Sequence, residues 1–491
     1  MRVFIFGIGG TGSRVLRSLA MLMASGVKFD NPSLEVVPVI IDMDAHNGDT
    51  ARTREVFRNY YAIRKTFIDP GATSRTDTFF NTKIKSFSRL EAGSTDAADI
   101  DLQFDFQNNN DTFAKFVNYN GLSQVNKDVL ELMYNDSAND QDFPELYLNL
   151  TVGFKGNPNI GSVVFNDLKN SQQFKNLESS FTDQDRVFII SSIFGGTGSS
   201  GFPTLVNLIR QSKNPNLARA KLGAITVMPY FNVDSNEGSA INSSLFNTKT
   251  KAALSYYAND DAISSINALY YIADHNQSGT LPNVEGGREQ INNGHVVELL
   301  AASAAIDFIG KADIELEENR CYEFGVEGDI NPMNISHFSL PTKEQLIGPM
   351  IRFAYAAQIA TKMIPQLTDN TFYKAKELNI AAAMGIPNEY HKLLTFFEEF
   401  KQWSAEEMSS ADNGRAFQSF NFRDPEHLNN LVIGKEIKTS WLSKGLSLKK
   451  VAEHLNSIET SEPKDLAVPL KYMNMLYKTA NECLTALGQL P

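Results

Sequence analysis

The chain is poor in cysteine and has no long apolar run, and both absences narrow the classes of protein that it can be. Its 491 residues include two cysteines, Cys321 and Cys483, too few for a disulfide framework or a four-cysteine zinc site. No stretch approaches the roughly 18 apolar residues of a membrane-spanning helix. The apolar run at the N-terminus is too short for a signal peptide and ends in glycines. We therefore expect a protein of a reducing, cytoplasmic compartment, without a membrane span and without a bound structural metal.

Positive charge is also in short supply. The chain has 45 Lys and Arg against 57 Asp and Glu, which gives a net charge of −12. A broad nucleic-acid footprint needs concentrated Lys and Arg, so we expect no nucleic-acid partner. A hydrophobic content of 42% with 10% aromatic residues is typical of a folded globular protein. The length allows two or three domains with a large buried core.

A glycine-rich loop in the middle of the chain is the most informative stretch that is present. A β-branched apolar run at 187–190 precedes it, and an apolar-periodic segment at 202–209 follows it, so we predict a strand, a turn and a helix. Glycines let the backbone approach an anion, and the amides and dipole of the following helix favour negative charge. This predicts phosphate-binding residues at Gly195, Gly196, Thr197, Gly198 and Ser199. A turn that only reverses the chain is the alternative.

The N-terminus repeats this arrangement. A short apolar strand at 1–6 leads into a second glycine loop and then into a helical pattern at 15–23. The loop loosely fits the dinucleotide fingerprint G-x-G-x-x-G, and its candidate ligands are Gly7, Gly9, Gly10, Thr11 and Gly12. The next predicted strand, 35–41, ends in Asp42, Asp44 and Ala45, where an acidic side chain could accept hydrogen bonds from a ribose. A solvated strand end would also carry Asp, and both interpretations stay open.

Further strand and helix signals complete an α/β pattern. We predict strands at 146–150 and 222–231, with the turn after the first containing Gly156, Asn157 and Pro158 and the polar loop after the second containing Glu237. The ends of parallel strands gather at one edge of a sheet, where ligands bind. A helix at 292–309 is apolar on most of its circumference and should be buried centrally. We expect His295, near its start, to be a capped or packed histidine.

The remaining segments set the predicted domain limits. Residues 52–143 are rich in Asn, Asp, Thr and Phe and suggest an insertion of short helices and long loops. From residue 311 onward an acidic run precedes helical patterns at 343–363, 390–400 and 465–487. We therefore predict a nucleotide-binding domain at 1–290 that includes the insertion, a central helix at 291–310, and a mixed or mainly helical C-terminal domain at 311–491.

The order of these motifs resembles the tubulin/FtsZ superfamily, most closely its divergent bacterial tubulin-like proteins. The stretch 195–201 is similar to the signature GGGTG[ST]G, with Phe194 in place of the first glycine. The loop 7–12 resembles the family's first nucleotide loop, and 42–45 its Asn-Thr-Asp-Ala. The turn 156–161 is similar to the Ala-Asn-Pro-x-x-Gly loop beside the γ-phosphate, and Glu237 corresponds to an acid that touches the ribose. In the central helix, Asn293, with Asn292 a close second, matches the Asn that binds the guanine edge.

The resemblance covers roughly the first 310 residues and implies a Rossmann-like GTP-binding domain of tubulin/FtsZ type. It implies GTP or GDP as ligand, with Mg²⁺ carried by the nucleotide. It also implies that copies of the chain stack head to tail. Such heterologous contacts generate open polymers, so filaments are expected. The C-terminal domain is then a candidate surface for other proteins. A chain that hydrolyses GTP would be a GTPase.

One departure from the family leaves hydrolysis open. The family's loop after the central helix carries an Asn-x-Asp-x-x-Asp or Glu-containing pattern that positions the attacking water in the neighbouring subunit. Here the stretch 310–319 is acidic but does not match. Asp313 and Glu315 are the candidates to orient a water, and an ordinary solvated connector is the alternative. Two other functions stay open. One is a nucleotide-bound scaffold without hydrolysis. The other is a Rossmann-type NAD(P)-dependent oxidoreductase or adenylating enzyme, but this hypothesis leaves the central glycine loop unexplained.

Overall fold

The computed structural model describes most of the chain. The described residues are 1–44, 46–71, 77–90, 100–104, 106, 112–134, 145–233, 246–274, 280–281, 286–323, 330–369, 387–407, 416–423, 428–434 and 446–487.

Within these residues the core is a parallel sheet of seven strands. Its strands run in the order β3-β2-β1-β4-β5-β7-β9, and every pairing is parallel. They are β1 (Arg2–Ile8), β2 (Glu35–Ile41), β3 (Lys83–Ile84), β4 (Arg186–Ser192), β5 (Lys221–Val227), β7 (Ala268–Ile272) and β9 (Arg320–Glu323). The central strands are buried along nearly their whole length, as expected for a parallel sheet with both faces covered. The chain direction across the sheet switches between β1 and β4, the place where doubly wound folds bind ligands.

Two short strand pairs lie outside this sheet. They join β6 (Asn232–Val233) to β8 (Thr280–Leu281) and β10 (Met333–Asn334) to β11 (Phe417–Gln418).

Helices connect and cover the strands. The described helices are α1 (Gly9–Ala24), α2 (Gly48–Phe67), α3 (Phe113–Phe116), α4 (Gln124–Met133), α5 (Pro158–Phe165), α6 (Gln172–Ser180), α7 (Gly196–Arg210), α8 (Pro215–Ala218), α9 (Phe246–Ala258), α10 (Asp261–Ser264), α11 (Val296–Gly310), α12 (Leu340–Thr342), α13 (Gly348–Gln358), α14 (Ile364–Asp369), α15 (Pro387–Glu407), α16 (Leu448–Ser461) and α17 (Val468–Leu487). Two π-helical turns, Lys343–Ile347 and Ile359–Met363, join α12, α13 and α14 into one continuous helix.

The packing of these helices links the two halves of the chain. Helix α1 packs against α2 and α11, and α5 packs against α7. The C-terminal helices α15 and α17 pack on α2 as well as on α13. The predicted α/β class with a parallel sheet and a helical C-terminal region is confirmed.

The central helix has the predicted burial. All residues of α11 except Asp307 and Gly310 are buried, because the sequence offers no polar face that could be turned to water. The helix begins at Val296, four residues later than the apolar pattern, because His295 caps it. The Nδ1 atom of His295 accepts the Val297 N–H at 3.0 Å, and Glu298 accepts the His295 N–H in return. His295 is thus a capping residue, as predicted.

Two expectations about secondary structure are wrong. The start of the stretch 52–143, expected to hold short helices and loops, forms the twenty-residue helix α2 and the strand β3. The Val56, Tyr60 and Ile63 side chains give α2 a buried face against the sheet domain. The predicted strand at 146–150 is instead the two 3₁₀ turns Glu145–Tyr147 and Leu150–Val152. Here the Asn149 side chain accepts the Thr151 N–H at 2.9 Å, and this local turn ends the extended chain.

The predicted domain limits stay a prediction. The strand β9 belongs to the sheet although it lies beyond residue 311, where we placed the start of the C-terminal domain.

Candidate functional site

Three loops meet at the carboxyl ends of β1 and β4. Helix α1 follows β1, helix α7 follows β4, and α5 begins just after the 153–157 loop. A Cβ atom on Gly9 would lie 3.3 Å from the Thr197 Cβ, and one on Gly196 would lie 2.9 Å from the Gly156 nitrogen. The N-termini of α1, α5 and α7 therefore converge on one place, at the switch point of the sheet.

These three helix starts lack the caps that other helices of this chain have. Their N-cap residues, Ile8, Asn157 and Gly195, make no side-chain cap, and none of the three helices has an acidic residue in its first turn. By contrast, side chains accept backbone N–H groups at the starts of α2, α4, α6, α11 and α16, from Asn47, Ser123, Ser171, His295 and Ser447. The first N–H groups of a helix have no partner inside it and carry partial positive charge. Among the described residues, the three starts thus present N–H groups without a side-chain cap to an anion.

Glycine is required at this place for two different reasons. The backbone of Gly9 has φ +70°, a left-handed conformation that side chains with a Cβ rarely adopt. At Gly196 the obstacle is a neighbour, because a Cβ would press on the Gly156 backbone. Both positions therefore keep the backbone close to the space between the loops, as phosphate binding needs.

Other predicted glycines serve the packing of helices on strands. A Cβ on Gly12 would lie 2.6 Å from the carbonyl carbon of Gly7, and one on Gly198 would lie 2.4 Å from the Ser192 oxygen. Gly7, Gly12 and Gly198 therefore let α1 and α7 start directly against the sheet. Gly10, in contrast, is half-buried at the loop surface.

The hydroxyl groups of the two loops differ in how they are engaged. The Ser199 hydroxyl donates to the Gly195 carbonyl at 2.5 Å, so its proton is used inside the loop. Thr11 is buried, and its Oγ1 lies 3.5 Å from Arg14 Nη2. Thr197 is half-buried beside Gly9 and is the hydroxyl that stays available for a ligand.

The carboxylates after β2 are held by their own loop. Asp42 accepts the Asp44 N–H at 3.1 Å, and Asp44 accepts the N–H groups of His46 at 3.0 Å and Gly287 at 2.5 Å. Burial raises the pKa of Asp42 to about 7, and the neighbouring Asp44 charge adds to this rise. Both side chains thus order this loop beside the site. Ala45 and Glu237, two further predicted ligands, lie outside the described residues.

The two candidate asparagines before α11 have different environments. Asn292 donates through Nδ2 to Asp49 at 3.0 Å and through its backbone N–H to the same carboxylate. Asn293 is half-buried, and among the described residues its side chain makes no hydrogen bond. Of the two, Asn293, which we chose from the resemblance, is the one whose amide is not already engaged.

A buried ion network below the first glycine loop was missed by sequence reasoning. Arg14 donates to Glu298 at 2.5 Å, to Asp49 at 2.8 Å and to the Tyr230 hydroxyl at 2.8 Å. Burial alone would lower the pKa of Arg14, but Tyr230, Glu298 and Asp49 outweigh it and raise that pKa. The network ties α1 to α2 and α11 just beneath Gly10. Only the fold brings these residues together, because Arg14 and Glu298 are 284 positions apart.

A groove beside the second glycine loop was also missed. It has a volume of about 610 Å³ and lies between α5, α7 and α9. Its lining includes Pro158 and Ser199 from the converging helix starts and Lys249 from α9. The Lys249 ammonium donates to the Gly156 carbonyl at 3.0 Å. This lysine carries no sequence signal, because it lies in an ordinary helical segment 93 positions from its partner.

The predicted water-orienting residues lie at the other edge of the sheet. Asp313 accepts from Arg186, the first residue of β4, at 2.8 Å, and its side chain is 78% exposed. Glu315 accepts the Ala312 N–H at 2.7 Å. The glycine loops follow the opposite, carboxyl ends of the strands. A single chain therefore does not bring Asp313 or Glu315 to the converging helix starts.

In the part of the chain that the structure describes, no three His, Cys, Asp or Glu side chains are grouped to hold a metal ion. None of its helices combines the length and hydropathy of a membrane span.

Comparison with known proteins finds similarity at the level of fold. No family model and no curated protein sequence matches the chain. Among solved structures, it is similar to a mutant FtsZ of M. jannaschii, with 14% identity, TM-score 0.25 and coverage of 56% of this chain and 47% of that one. It is similar to CetZ2 from Haloferax volcanii as a GTPγS-bound protofilament, with 11% identity, TM-score 0.28 and coverage of 62% and 56%. It is also similar to TubZ of Bacillus thuringiensis serovar israelensis in a GTPγS-form protofilament, with 12% identity, TM-score 0.22 and coverage of 56% and 48%.

These proteins are members of the tubulin/FtsZ superfamily, which the glycine motifs of this chain resemble. The structural similarity is too distant to assign the chain to that superfamily. The matched region spans about half the length of the proteins that it matches. At these identities and TM-scores the similarity assigns no role to any residue of this chain.

Proposed function

We propose that this chain binds the phosphates of a guanine nucleotide, GTP or GDP, where α1, α5 and α7 begin, and that copies of it assemble head to tail. The observation that carries the proposal is the meeting of three helix starts that have neither a side-chain cap nor an acid in the first turn. A polyphosphate satisfies several such donors at once, and its charge is favoured by all three dipoles.

The roles of individual residues follow from their positions. Backbone N–H groups of Gly9, Gly10 and Gly196 would hold phosphate oxygens, and the Thr197 hydroxyl would donate beside them. Mg²⁺ would arrive with the nucleotide and neutralise part of its charge. Guanine is proposed from the motif resemblance, and the unengaged amide of Asn293 is the group that would bind its edge.

Self-assembly is proposed because the candidate phosphate site and the candidate water-orienting acids lie at opposite edges of the sheet. The candidate phosphate site lies at the carboxyl ends of the strands, and the acidic 3₁₀ turn Asp313–Leu316 lies at their amino ends. Stacking one copy on the next would bring Asp313 and Glu315 to the phosphates of the neighbour. In that arrangement any GTPase activity belongs to the contact between two copies, and such a contact repeats into an open filament.

A second candidate function is a nucleotide-bound scaffold that does not hydrolyse GTP. One observation favours it: the Asp313 carboxylate is paired with Arg186 and Glu315 with a backbone N–H, so both acids have partners within their own chain. Turnover measured at high protein concentration separates the two functions.

Ligand-dependent thermal unfolding tests the proposal and its oxidoreductase alternative together. The protein is unfolded with GTP, GDP, ATP, NAD or NADPH, each at about a hundredfold excess over its dissociation constant. A ligand that binds only the folded state then adds about 2.7 kcal/mol of stability. We expect GTP and GDP to raise Tm. A rise with NAD or NADPH alone would contradict the proposal in favour of a dinucleotide enzyme, which the strand order also permits.

Replacing Gly195 gives a sharper test of the anion site. Gly195 has an extended backbone, with φ −88°, and is the N-cap of α7. The Gly195→Asp side chain would cap the helix and place a negative charge among the three helix starts. We expect a gain of a few tenths of a kcal/mol in the free energy of unfolding from the cap and about 0.3–1 kcal/mol from the carboxylate at the helix N-terminus, together with loss of nucleotide binding. Gly195→Asn is the matched control, since it caps without charge and should weaken binding less. Undiminished GTP binding by Gly195→Asp would overturn the site.

The cytoplasmic location stays a prediction from the low cysteine content. Cys321 and Cys483 are both free thiols in the structure. The C-terminal domain remains the candidate surface for other proteins.

A further inference from the structure

Lys249 is a cation at the wall of the candidate phosphate site. It lies on α9, and its ammonium donates to the Gly156 carbonyl at 3.0 Å. The same loop presses on Gly196 at the start of α7, since a Cβ there would lie 2.9 Å from the Gly156 nitrogen. Lys249 therefore stands beside the starts of α5 and α7.

The surroundings of this ammonium disfavour its positive charge. Within the described part of the chain, no carboxylate pairs with Lys249, and its one hydrogen bond is to the Gly156 carbonyl. The start of α5 places the positive end of a helix nearby. Burial lowers the pKa of the Lys249 ammonium. A bound anion would favour the charged ammonium and oppose both effects.

The groove between α5, α7 and α9 gives such an anion room. Lys249 lines it together with Pro158 and Ser199, at the end of the groove that reaches the starts of α5 and α7, and from there the groove continues along α7 as far as Gln211. An ammonium has three N–H donors. One is used by the Gly156 carbonyl, so the others can reach a phosphate oxygen without breaking that bond.

We propose that Lys249 binds the terminal phosphate of the nucleotide and thereby distinguishes a triphosphate from a diphosphate. This inference rests on the proposed nucleotide binding and concerns the same site. The end of β2 and the start of α11 lie on the α1 side of the site, where Asn293 would meet the base. A phosphate chain that extends from there across α1 and α7 ends at α5 and Lys249.

The experiment compares GTP and GDP binding by the full chain and by Lys249→Met. A charge-assisted hydrogen bond to a phosphate corresponds to a change of roughly ten- to a hundredfold in the dissociation constant. We expect GTP binding to weaken by this factor and GDP binding to stay within about twofold. Lys251→Met is the matched control, because Lys251 lies on an exposed part of the same helix. The control should bind both nucleotides as the unaltered chain does.

A second variant separates phosphate binding from support of the loop. Lys249→Gln keeps an N–H donor for the Gly156 carbonyl but has no charge. We expect it to lose GTP affinity as Lys249→Met does. Full GTP affinity in Lys249→Gln would overturn the inference and assign Lys249 to loop support, and equal losses for GTP and GDP in either variant would also overturn it. A chain that binds neither nucleotide before any substitution would instead overturn the proposed function itself.

Discussion

At the scale of single residues, the carboxyl of Asp42, beside the candidate site, makes the free energy of unfolding depend on pH. It is buried, and its pKa is raised from 3.8 to about 7, chiefly by burial. The unfolded chain therefore loses this proton at lower pH than the folded chain does. The stabilising contribution of the protonated group is complete below about pH 4, falls as the pH rises, and is lost once the pH passes about 7.

We predict that Asp42→Asn removes this dependence. Asparagine keeps an oxygen for the Asp44 N–H but does not ionise. We compare the unfolding free energy of the variant with that of the unaltered chain at about pH 5 and at about pH 8. This difference should shift in favour of the variant by roughly 2 kcal/mol from the lower to the higher pH. Urea unfolding at the two pH values measures this shift. Asp44→Asn is the control and should destabilise at both, because the Asp44 carboxylate accepts two backbone N–H groups. The same difference at both pH values for Asp42→Asn would refute the prediction.

At the scale of elements, a polar junction fixes α15 to the sheet domain. The Glu406 carboxylate on α15 accepts from Arg17 on α1 at 2.7 Å and from Arg52 on α2 at 3.1 Å. It also accepts the Gly294 N–H at 2.9 Å, just before α11. One carboxylate thus joins three elements that surround the candidate site. Its neighbour Glu407 is buried, and its oxygens have no hydrogen-bond partner among the described residues.

Adjacent substitutions on α15 should therefore act in opposite directions. Glu406→Ala removes the carboxylate that pairs with the buried Arg17, and it removes one of the two carboxylates beside Arg52, which keeps Asp49. This should cost about 3–5 kcal/mol. Glu407→Gln removes a carboxyl whose pKa is raised by burial and by the Glu298 and Glu406 charges. We expect this second variant to be about 1–3 kcal/mol more stable at pH 8, and less so in acid. Denaturant unfolding of both variants checks the pair, and destabilisation of the same size by both would contradict it.

At the scale of the whole molecule, the two halves of the proposed GTPase site lie at opposite edges of the sheet within one copy. The phosphate loops follow the carboxyl ends of β1 and β4, and Asp313 contacts Arg186 at the amino end of β4. Turnover per chain should therefore increase with protein concentration. A constant turnover per chain would place the complete site within one copy.

Mixing two inactive variants tests this arrangement directly. Gly195→Asp lacks a working phosphate site but keeps Asp313, and Asp313→Asn has the reverse defect. We expect each variant alone to lose turnover, and their mixture to recover part of it at contacts that pair an intact phosphate site with an intact Asp313. Sedimentation with GTP and with GDP reports assembly of the same samples. Absence of recovery in mixtures that do assemble would exclude Asp313 as the acting group, and absence of turnover in the unaltered chain would favour the scaffold.

The features that could be predicted from the sequence are those set by residues adjacent along the chain. The two glycine loops between strand and helix could be located because backbone freedom and helix dipoles are local properties. The burial of α11 could be predicted because its residues are apolar all around the helix. The helix α2 was missed although its apolar spacing is helical, because the polar stretch around it masked the pattern. The 146–150 stretch was assigned to a strand because its leucines alternate with other residues, as in a strand, but the Asn149 side chain folds the chain into a turn here.

The sequence by itself determined that a glycine turn between a strand and a helix occurs twice, after β1 and after β4, because such a turn and the helix that follows it need only adjacent residues. The predicted turn at 156–158 was expected to join these loops, but only the tertiary structure decided that it opens the helix α5 and which charges face the site. Arg14 lies beneath Gly10 through partners 284 positions away, and Lys249 reaches Gly156 across 93 positions. Contacts of this range are set by how strands order and helices pack, and no local pattern of residues encodes them.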